Sequence, residues 1–316
     1  HGGTEAFSRP QAAAPAHMSF ECSRAAQDKE VLMSQVAPAA STLRDRFWLW
    51  AHAPNCHRQW VQRDSRITPA AAARHLGLDN LIMVVFGNRP EPSEFAVYQE
   101  SFQGLRRVVW SVMGDSSSTR NDTCGDVEAV LALAAGNPNL VGGIMDDLFL
   151  VPEKLTPGGP VARWDAARIA AVREQLNHAP RRLELYAVFY DLLLGVCAPG
   201  IRDELGRHLA AADVITYWTW HAKGLARLEE NFAQVETMAA ANGNRILLGC
   251  YLYDYGDNRE MPVELMQHQC ELGRRWLREG RIAGMIFLGS PIVDLPFAAV
   301  EWTRRWIARV GDEPVA

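Results

Sequence analysis

Lysine is nearly absent from this 316-residue chain: Lys29, Lys154 and Lys223 are its three lysines, among 32 lysines and arginines. A Schiff-base aldolase needs a lysine inside its cavity, and Lys223, two residues beyond His221, is the one candidate close to a predicted strand end. The net charge is −5 at pH 7. A basic surface for nucleic acid or for anionic lipid is therefore not expected.

Metal-binding motifs and long apolar runs are also missing. The six cysteines form no CxxC pair, so zinc-finger frameworks are excluded. The histidines form no HxH or HExxH motif, so we expect no dedicated zinc site and predict no metal and no other cofactor. No apolar run reaches the roughly 18–20 residues of a membrane span, so no membrane partner is expected either.

The chain does contain eight short runs of apolar, β-branched or aromatic residues, separated by stretches of helical periodicity. They begin near Phe47, Leu81, Val108, Leu140, Leu183, Asp213, Arg245 and Ile282. Their spacing matches the roughly 30 residues of one βα unit of a barrel. Helix-boundary signals support the pattern, as in the stretch from Thr68 (N-cap) through Pro69 (first turn) to Gly77 (stop). Further helices are predicted over Asp165–His178, Glu264–Gly280 and Pro296–Val310.

This alternation predicts an α/β fold, a single (β/α)8 TIM barrel over residues 46–316. The alternative, a doubly wound open sheet, would carry a glycine-rich phosphate loop after its first strand. The residues that follow the first run here are AHAPNCH. We expect residues 1–17 to form a flexible N-terminal segment and residues 18–45 an extension that packs on the barrel.

Aromatic and acidic residues are concentrated at the predicted strand ends, where TIM barrels carry their sites. An indole face can stack on the C–H face of a pyranose ring while carboxylates bind its hydroxyls. The sequence therefore predicts a carbohydrate ligand, and Arg259 could bind the carboxylate of an acidic sugar. The predicted substrate-binding residues are Trp48, Trp50, His52, Trp110, Asp115, Tyr190, Asp191, Trp218, Trp220, His221, Tyr253 and Arg259.

Two carboxyl groups that flank one glycosidic bond are the minimum for its cleavage. Asp146 and Asp147 follow the fourth run directly. In a regular strand they would point to opposite faces, so one of them is expected to enter the pocket. If the two approach each other, repulsion would raise the pKa of one, as a general acid requires. Asp254, between Tyr253 and Tyr255, is the corresponding candidate after the seventh run.

The eight-unit layout resembles the TIM-barrel glycoside hydrolases, whose largest clan places the acid/base after strand 4 and the nucleophile after strand 7. The resemblance implies a glycosidase that uses Asp147 or Asp146 together with Asp254. The proposed carbohydrate substrate favours a secreted or periplasmic location, with a cytoplasmic one as the alternative. That clan uses glutamates, the first preceded by asparagine, where this chain has Met145-Asp146-Asp147.

Two other functions stay open at this stage. A sugar isomerase or epimerase would hold Mn2+ or Mg2+ with His52 or His221 and nearby aspartates. A non-catalytic carbohydrate-binding barrel would use the same acids only to bind hydroxyl groups. The sequence does not predict which sugar is bound or the oligomeric state.

Overall fold

Eight parallel strands form a closed barrel in the computed structural model, which describes residues 41–196 and 198–315. Each strand pairs with the next along the chain, and the last closes the ring on the first, where Met285 lies opposite Phe47. The predicted strand starts are confirmed to within two residues. The strands are β1 Phe47–Ala51, β2 Asn80–Met83, β3 Arg107–Met113, β4 Leu140–Met145, β5 Glu184–Tyr190, β6 Val214–Trp218, β7 Arg245–Tyr251 and β8 Gly284–Leu288.

Each barrel strand is followed by a helix before the next strand begins or the chain ends. The fold is a TIM barrel, as predicted, and the open-sheet alternative is excluded because the sheet closes on itself. No helix within the described residues has the length and apolarity needed to cross a bilayer. The helices are α1 Pro69–Leu76, α2 Phe95–Ser101, α3 Val127–Gly136, α4 Ala166–Asn177, α5 Pro199–Ala210, α6 Leu228–Asn242, α7 Val263–Arg278 and α8 Ala298–Val310.

Helix α1 begins and ends where its sequence predicts. The Thr68 hydroxyl accepts a hydrogen bond from the Ala71 amide at 3.3 Å, and Pro69 occupies the first helical position. Gly77 ends the helix in the left-handed region, at φ 69°. The Asp165 carboxylate caps α4 in the same way, by accepting from the Arg168 amide at 2.8 Å. Local capping chemistry therefore sets these boundaries.

Alternation along the strands separates the barrel interior from the layer beneath the helices. In β1, Phe47 faces outward and packs on Trp306 of α8, with ring centroids 5.5 Å apart. Trp48 faces inward and reaches Tyr186 of β5 on the opposite side of the barrel, at 6.4 Å. The inward-facing residues nearest the C-terminal ends of the strands can therefore reach the site.

Residues 41–45, the described part of the predicted N-terminal extension, pair with the end of the chain. The Leu43 amide donates to the Glu313 carbonyl at 2.9 Å, and the Val315 amide donates to the Ser41 carbonyl at 2.8 Å. The Leu43 side chain is fully buried. The rest of that extension and the predicted flexible segment, residues 1–40, lie outside the described residues.

Candidate functional site

The C-terminal ends of the eight strands surround a cavity of about 470 Å³. Every strand or the loop that follows it contributes at least one lining residue. Eight of the eighteen lining residues are tryptophan, tyrosine or phenylalanine, and three are aspartates. Eight of the residues predicted from the sequence to form a site come together here: Trp50, His52, Asp115, Asp146, Asp147, Tyr190, Trp218 and Trp220.

Asp146 and Asp147 both line this cavity, which corrects the expectation that one would point away. Strand β4 ends at Met145, and the Asp146 amide extends the ladder by donating to the Met113 carbonyl at 3.0 Å. Asp147 then adopts a left-handed backbone conformation, at φ 43°. This turn cancels the alternation of a regular strand, so adjacent side chains reach the same space.

The environment of Asp146 disfavours its charged form. Its side chain is buried, and within the described residues the Asp147 amide, at 2.9 Å, is the hydrogen-bond donor to its carboxyl group. Burial, with the charges of Asp147 and Asp115 added to it, raises the pKa of Asp146 well above its ordinary value. The repulsion expected between the two neighbours is therefore present, although burial is the larger cause.

Asp147 is better supplied with donors. Its Oδ2 accepts from the Ser116 amide at 2.9 Å, and its Oδ1 accepts from the Tyr190 hydroxyl at 3.0 Å. The pKa of Tyr190 is raised well above its usual value by burial and by the nearby charge of Asp147, so the phenol keeps its proton and donates it. The pair thus combines a carboxyl group that favours its proton with a carboxylate held by two donors.

Asp115 has a different surrounding again, although it lines the same cavity. Its Oδ1 accepts from the Gly87 amide at 2.9 Å and the Ser118 hydroxyl at 2.6 Å, and its Oδ2 accepts from both the amide and the hydroxyl of Ser117. Four donors satisfy this carboxylate without a ligand. Asp115 therefore ties the loops after β2 and β3 together beneath the cavity.

Three rings form one continuous aromatic wall. Trp218 contacts Trp50 edge-on, with centroids 5.1 Å apart, and lies 4.9 Å from Tyr251. A β-carbon at Gly249 would lie 2.1 Å from the Trp218 indole. Glycine in β7 therefore lets Trp218 lie across the neighbouring strand. Trp220 continues this wall, since it lies 5.9 Å from Tyr251 and 5.7 Å from Tyr190.

Two buried histidines lie beside this wall. His52 Nδ1 is 2.8 Å from His57 Nε2, and His57 Nδ1 is 2.6 Å from the Tyr255 hydroxyl. The Trp50 indole donates to His52 Nε2 at 3.1 Å. Burial lowers the pKa of His52 to about 4 and also places that of His57 well below its ordinary value. Both rings are therefore neutral near pH 7.

Two predicted tryptophans lie elsewhere in the barrel. Trp48 lies at the N-terminal end of the interior, where the Arg107 guanidinium stacks 4.5 Å above its ring. Trp110 faces the helices: its ring lies 4.5 Å from that of Phe95, and its indole donates to Gln99 of α2 at 2.7 Å. Strand position explains both outcomes, since Trp48 is too far from the C-terminal rim of the barrel and Trp110 is on the outer face of the sheet.

Three predicted residues, Asp254 and Arg259 after β7 and His221 after β6, form a separate group outside the cavity. Asp254 is fully buried, and its carboxylate accepts from the Ala222 amide at 3.1 Å and from Arg259 Nε at 3.0 Å. His221 Nδ1 lies 2.7 Å from Asp257 Oδ1, which also lies 3.6 Å from Lys223 Nζ. The expectation that Asp254 shares a cavity with Asp147 is therefore not met.

Two further predicted residues support the site from outside. Asp191 Oδ1 accepts from the Trp220 backbone amide at 3.0 Å and so fixes the start of that loop. Burial raises the pKa of Asp191. Tyr253 packs on Phe297, with centroids 5.7 Å apart, and its hydroxyl lies 3.4 Å from the Trp60 carbonyl.

Several lining residues were not among the predicted site residues. The helical turn Arg58–Val61 in the loop after β1 brings Gln59 and Trp60 to the rim, and His57 immediately precedes it. Phe86, Tyr251 and Tyr255 complete the aromatic wall. A histidine and a tryptophan close together after the first strand are a signal that could have identified His57 and Trp60. The path of this loop and its turn towards the cavity follow no periodic pattern in the sequence, so they could not be predicted.

Two clusters could hold a metal ion on ligand type alone: His52 with Cys56 and His57, and His221 with Asp254 and Asp257. In the second cluster Arg259 and Lys223 already neutralise the acids. In the first cluster burial raises the pKa of the Cys56 thiol, which opposes the thiolate that a metal needs. The donor set at neither position favours a bound cation.

A second cavity of about 300 Å³ adjoins the first. The two share Ser116, Asp147, Tyr190 and Trp220, so Asp147 stands at their junction. The second cavity is lined by aliphatic residues, of which Val151 and Leu192 are exposed, and also by Lys154 and Arg163.

No family model and no curated protein match this chain. Solved structures match its fold at low sequence identity. A candidate α-L-fucosidase from Bacteroides thetaiotaomicron VPI-5482 aligns with a TM-score of 0.57 and 10% identity, over 96% of this chain and 100% of that one. A calcium-binding mutant of β-glucuronidase 2 from Bacteroides uniformis aligns with a TM-score of 0.51 and 10% identity, over 80% of this chain and 32% of that one.

The same fold also carries a protein named as an inhibitor. A xylanase–α-amylase inhibitor protein in complex with trehalose aligns with a TM-score of 0.51 and 14% identity, over 84% of this chain and 98% of that one. The resemblance to TIM-barrel glycoside hydrolases thus holds for the architecture. Because one fold serves several functions, the function of this chain has to be argued from its own cavity.

Proposed function

We propose that this protein is a glycoside hydrolase that binds a sugar ring in the aromatic cavity. The observation that carries the proposal is the Asp146–Asp147 pair, two carboxyl groups of unlike environment among indole and phenol rings. Aromatic faces suit the C–H face of a pyranose. Glycoside cleavage needs one carboxyl group that gives a proton and one carboxylate.

The charge of the cavity favours a neutral sugar. The described lining residues include three aspartates and neither arginine nor lysine. A sugar carboxylate or phosphate would meet negative charge there without a compensating cation. Arg259, which the sequence offered for an acidic sugar, is bonded to Asp254 outside the cavity.

The two acids divide the chemistry by their surroundings. Burial raises the pKa of Asp146 well above its ordinary value, so Asp146 is the carboxyl group that favours its proton. In the proposed mechanism Asp146 gives its proton to the glycosidic oxygen. As the bond between the sugar carbon and that oxygen breaks, Asp147, which accepts from Ser116 and Tyr190, either takes a proton from the water that attacks the sugar carbon or attacks this carbon itself. In the second case a water molecule then releases the sugar from Asp147.

The adjoining cavity is the place we propose for the leaving group. Asp147 and Tyr190 belong to both cavities, so a bond that spans the junction would lie beside the pair. The aliphatic wall of the second cavity, with Val151 and Leu192 exposed, favours an apolar leaving group over a second sugar.

The test is turnover of 4-nitrophenyl glycosides of neutral hexoses and pentoses by the full chain. We expect 4-nitrophenol release from at least one of them, retained after dialysis against EDTA. Asp147→Asn should lower kcat by about 10²–10⁴-fold and leave sugar binding, measured by calorimetry, within a few-fold. NMR of the first-formed sugar anomer would show whether configuration is retained or inverted.

Other outcomes would reject the proposal in distinct ways. Sugar binding without hydrolysis of any glycoside would identify a carbohydrate-binding barrel. Activity that EDTA abolishes and Mn2+ restores would favour the metal-dependent isomerase. Undiminished turnover by Asp147→Asn would remove this residue from the chemistry.

A further inference from the structure

A continuous chain of hydrogen bonds runs from Trp50 through two histidines to Tyr255, beside the cavity. The Trp50 indole Nε1 lies 3.1 Å from His52 Nε2, His52 Nδ1 lies 2.8 Å from His57 Nε2, and His57 Nδ1 lies 2.6 Å from the Tyr255 hydroxyl. Trp50, His52 and His57 are all nearly fully buried. Each ring nitrogen of the two histidines therefore has a partner within the protein.

The first member fixes the direction of the chain. An indole nitrogen can only donate, so His52 Nε2 must accept and carries no proton. A neutral His52 then carries its proton on Nδ1 and donates it to His57 Nε2. By the same logic His57 is protonated on Nδ1 and donates to the Tyr255 oxygen. The reverse direction would leave His52 without a proton on either nitrogen.

This direction determines the role of the Tyr255 hydroxyl. The Tyr255 oxygen accepts from His57, and no other described residue accepts the proton of its hydroxyl. Tyr255 lines the cavity, and burial raises its pKa well above the usual value, so the proton is retained. Its O–H is left to face the cavity as a donor.

We propose that the Trp50–His52–His57 chain makes Tyr255 an obligatory hydrogen-bond donor to the bound ligand, which must place an oxygen acceptor beside it. The histidine pair is a positioning device and not a metal site. A metal bound at His52 Nδ1 would require the proton on Nε2, facing the indole N–H at 3.1 Å. The tautomers inferred for His52 and His57 do not depend on the proposed function, whereas the contact between Tyr255 and a sugar rests on it.

Histidine tautomers can be read directly in the free protein. Long-range ¹H–¹⁵N correlation spectra of ¹⁵N-histidine-labelled protein at pH 7 should show His52 and His57 protonated on Nδ1, with their Nε2 unprotonated. His52→Gln and His57→Gln variants assign the signals. One equivalent of Zn2+ should leave both unchanged. An Nε2-protonated ring, or a zinc-dependent shift of the pair, would overturn the proposal.

Two matched tryptophan variants test whether the Trp50 indole sets the direction of the hydrogen-bond chain. Trp50→Phe removes the indole donor, so His52 should populate both tautomers. Trp218→Phe removes the neighbouring indole, which donates to Thr216 Oγ1 at 3.0 Å instead, and should leave the histidine tautomers as in the wild type. Equal spectra for the wild type and Trp50→Phe would show that the indole does not set the direction.

The ligand contact is tested with a glycoside that the wild type hydrolyses. Tyr255→Phe should raise KM about three- to tenfold with kcat nearly unchanged, as for a bond of equal strength in ground and transition states. Tyr98→Phe, in helix α2 and outside the cavity, should leave KM unchanged. An unaltered KM in Tyr255→Phe would refute the donor role. Failure to find any hydrolysed glycoside would instead count against the proposed function, while the tautomer result would stand.

Discussion

The loops after β4 and β7 each carry two aspartates, and the surroundings of the two pairs differ completely. After β4, Asp146 and Asp147 face a cavity, and the described lining contains no arginine or lysine. After β7, Asp254 and Asp257 both lie within 4 Å of Arg259 side-chain nitrogens, at 3.0 and 3.4 Å. The nearest cation decides which acids are available to a ligand.

The difference has a simple physical origin. A carboxylate that accepts from a guanidinium and backbone amides has little remaining capacity for a substrate, and its charge is already compensated. A buried carboxyl group without a cation favours its proton, which makes it a potential acid. Acids at strand ends therefore divide into structural and chemical ones according to donors that come from elsewhere in the chain.

The largest expected effect is on turnover. Asp146→Asn removes the acidic proton and should lower kcat by about 10²–10⁴-fold. Asp254→Asn, assayed with the same glycoside at a temperature where it stays folded, should keep kcat within about threefold because it lies outside the cavity. A comparable loss in both variants would break the distinction between the two loops.

For stability we expect the larger loss in the Asp254 variant and not in the Asp146 variant. Asp254→Asn replaces a fully buried acceptor of three hydrogen bonds, from Ala222, Asp257 and Arg259, by an amide. We expect its free energy of unfolding, from urea titration at pH 7, to fall by about 1–3 kcal/mol. Asp146→Asn should be at least as stable as the wild type, since it removes a poorly compensated buried carboxyl group. An Asp254→Asn variant as stable as the wild type would argue against a structural role.

The barrel and part of the site were predictable because they follow local rules. Strand starts, the caps of α1 and the convergence of Trp50, Asp147 and Trp220 at one rim follow from periodicity, capping and topology. The sequence offered no means to see the left-handed turn at Asp147, which brings its neighbour into the same cavity. In that conformation the Asp147 carboxylate accepts from the Ser116 amide, in the loop after β3, and from the Tyr190 hydroxyl at the end of β5.

Asp254 was misplaced for a related reason. Its position after β7 matched the clan pattern, but Arg259, five residues later, returns on a short hairpin in which Asp254 pairs with Arg259. The sequence analysis placed Arg259 in the pocket as well, so the two predicted site residues neutralise each other. A cation close in sequence to a candidate acid is therefore a warning that the acid is structural.

The pH dependence of stability gives the prediction that is sharpest in sign. Asp146 has a folded-state pKa above its unfolded value of 3.8, so the stability it contributes is complete below about pH 4 and is lost as the pH rises through the folded pKa. Asp257 behaves in the opposite way, because its hydrogen bond with His221 lowers its pKa. The stability that Asp257 contributes is therefore present above its unfolded pKa of 3.8 and is lost as the pH falls through its folded-state pKa.

In urea titrations from pH 3 to pH 8, Asp146→Asn should therefore gain stability over the wild type as the pH rises above 4, by at most about 1.4 kcal/mol per pH unit. Asp257→Asn should be less stable than the wild type above about pH 4, where Asp257 makes its contribution. The two proteins should become equally stable as the pH falls through the folded-state pKa of Asp257. Parallel curves for the two variants would mean that the two acids experience similar surroundings after all.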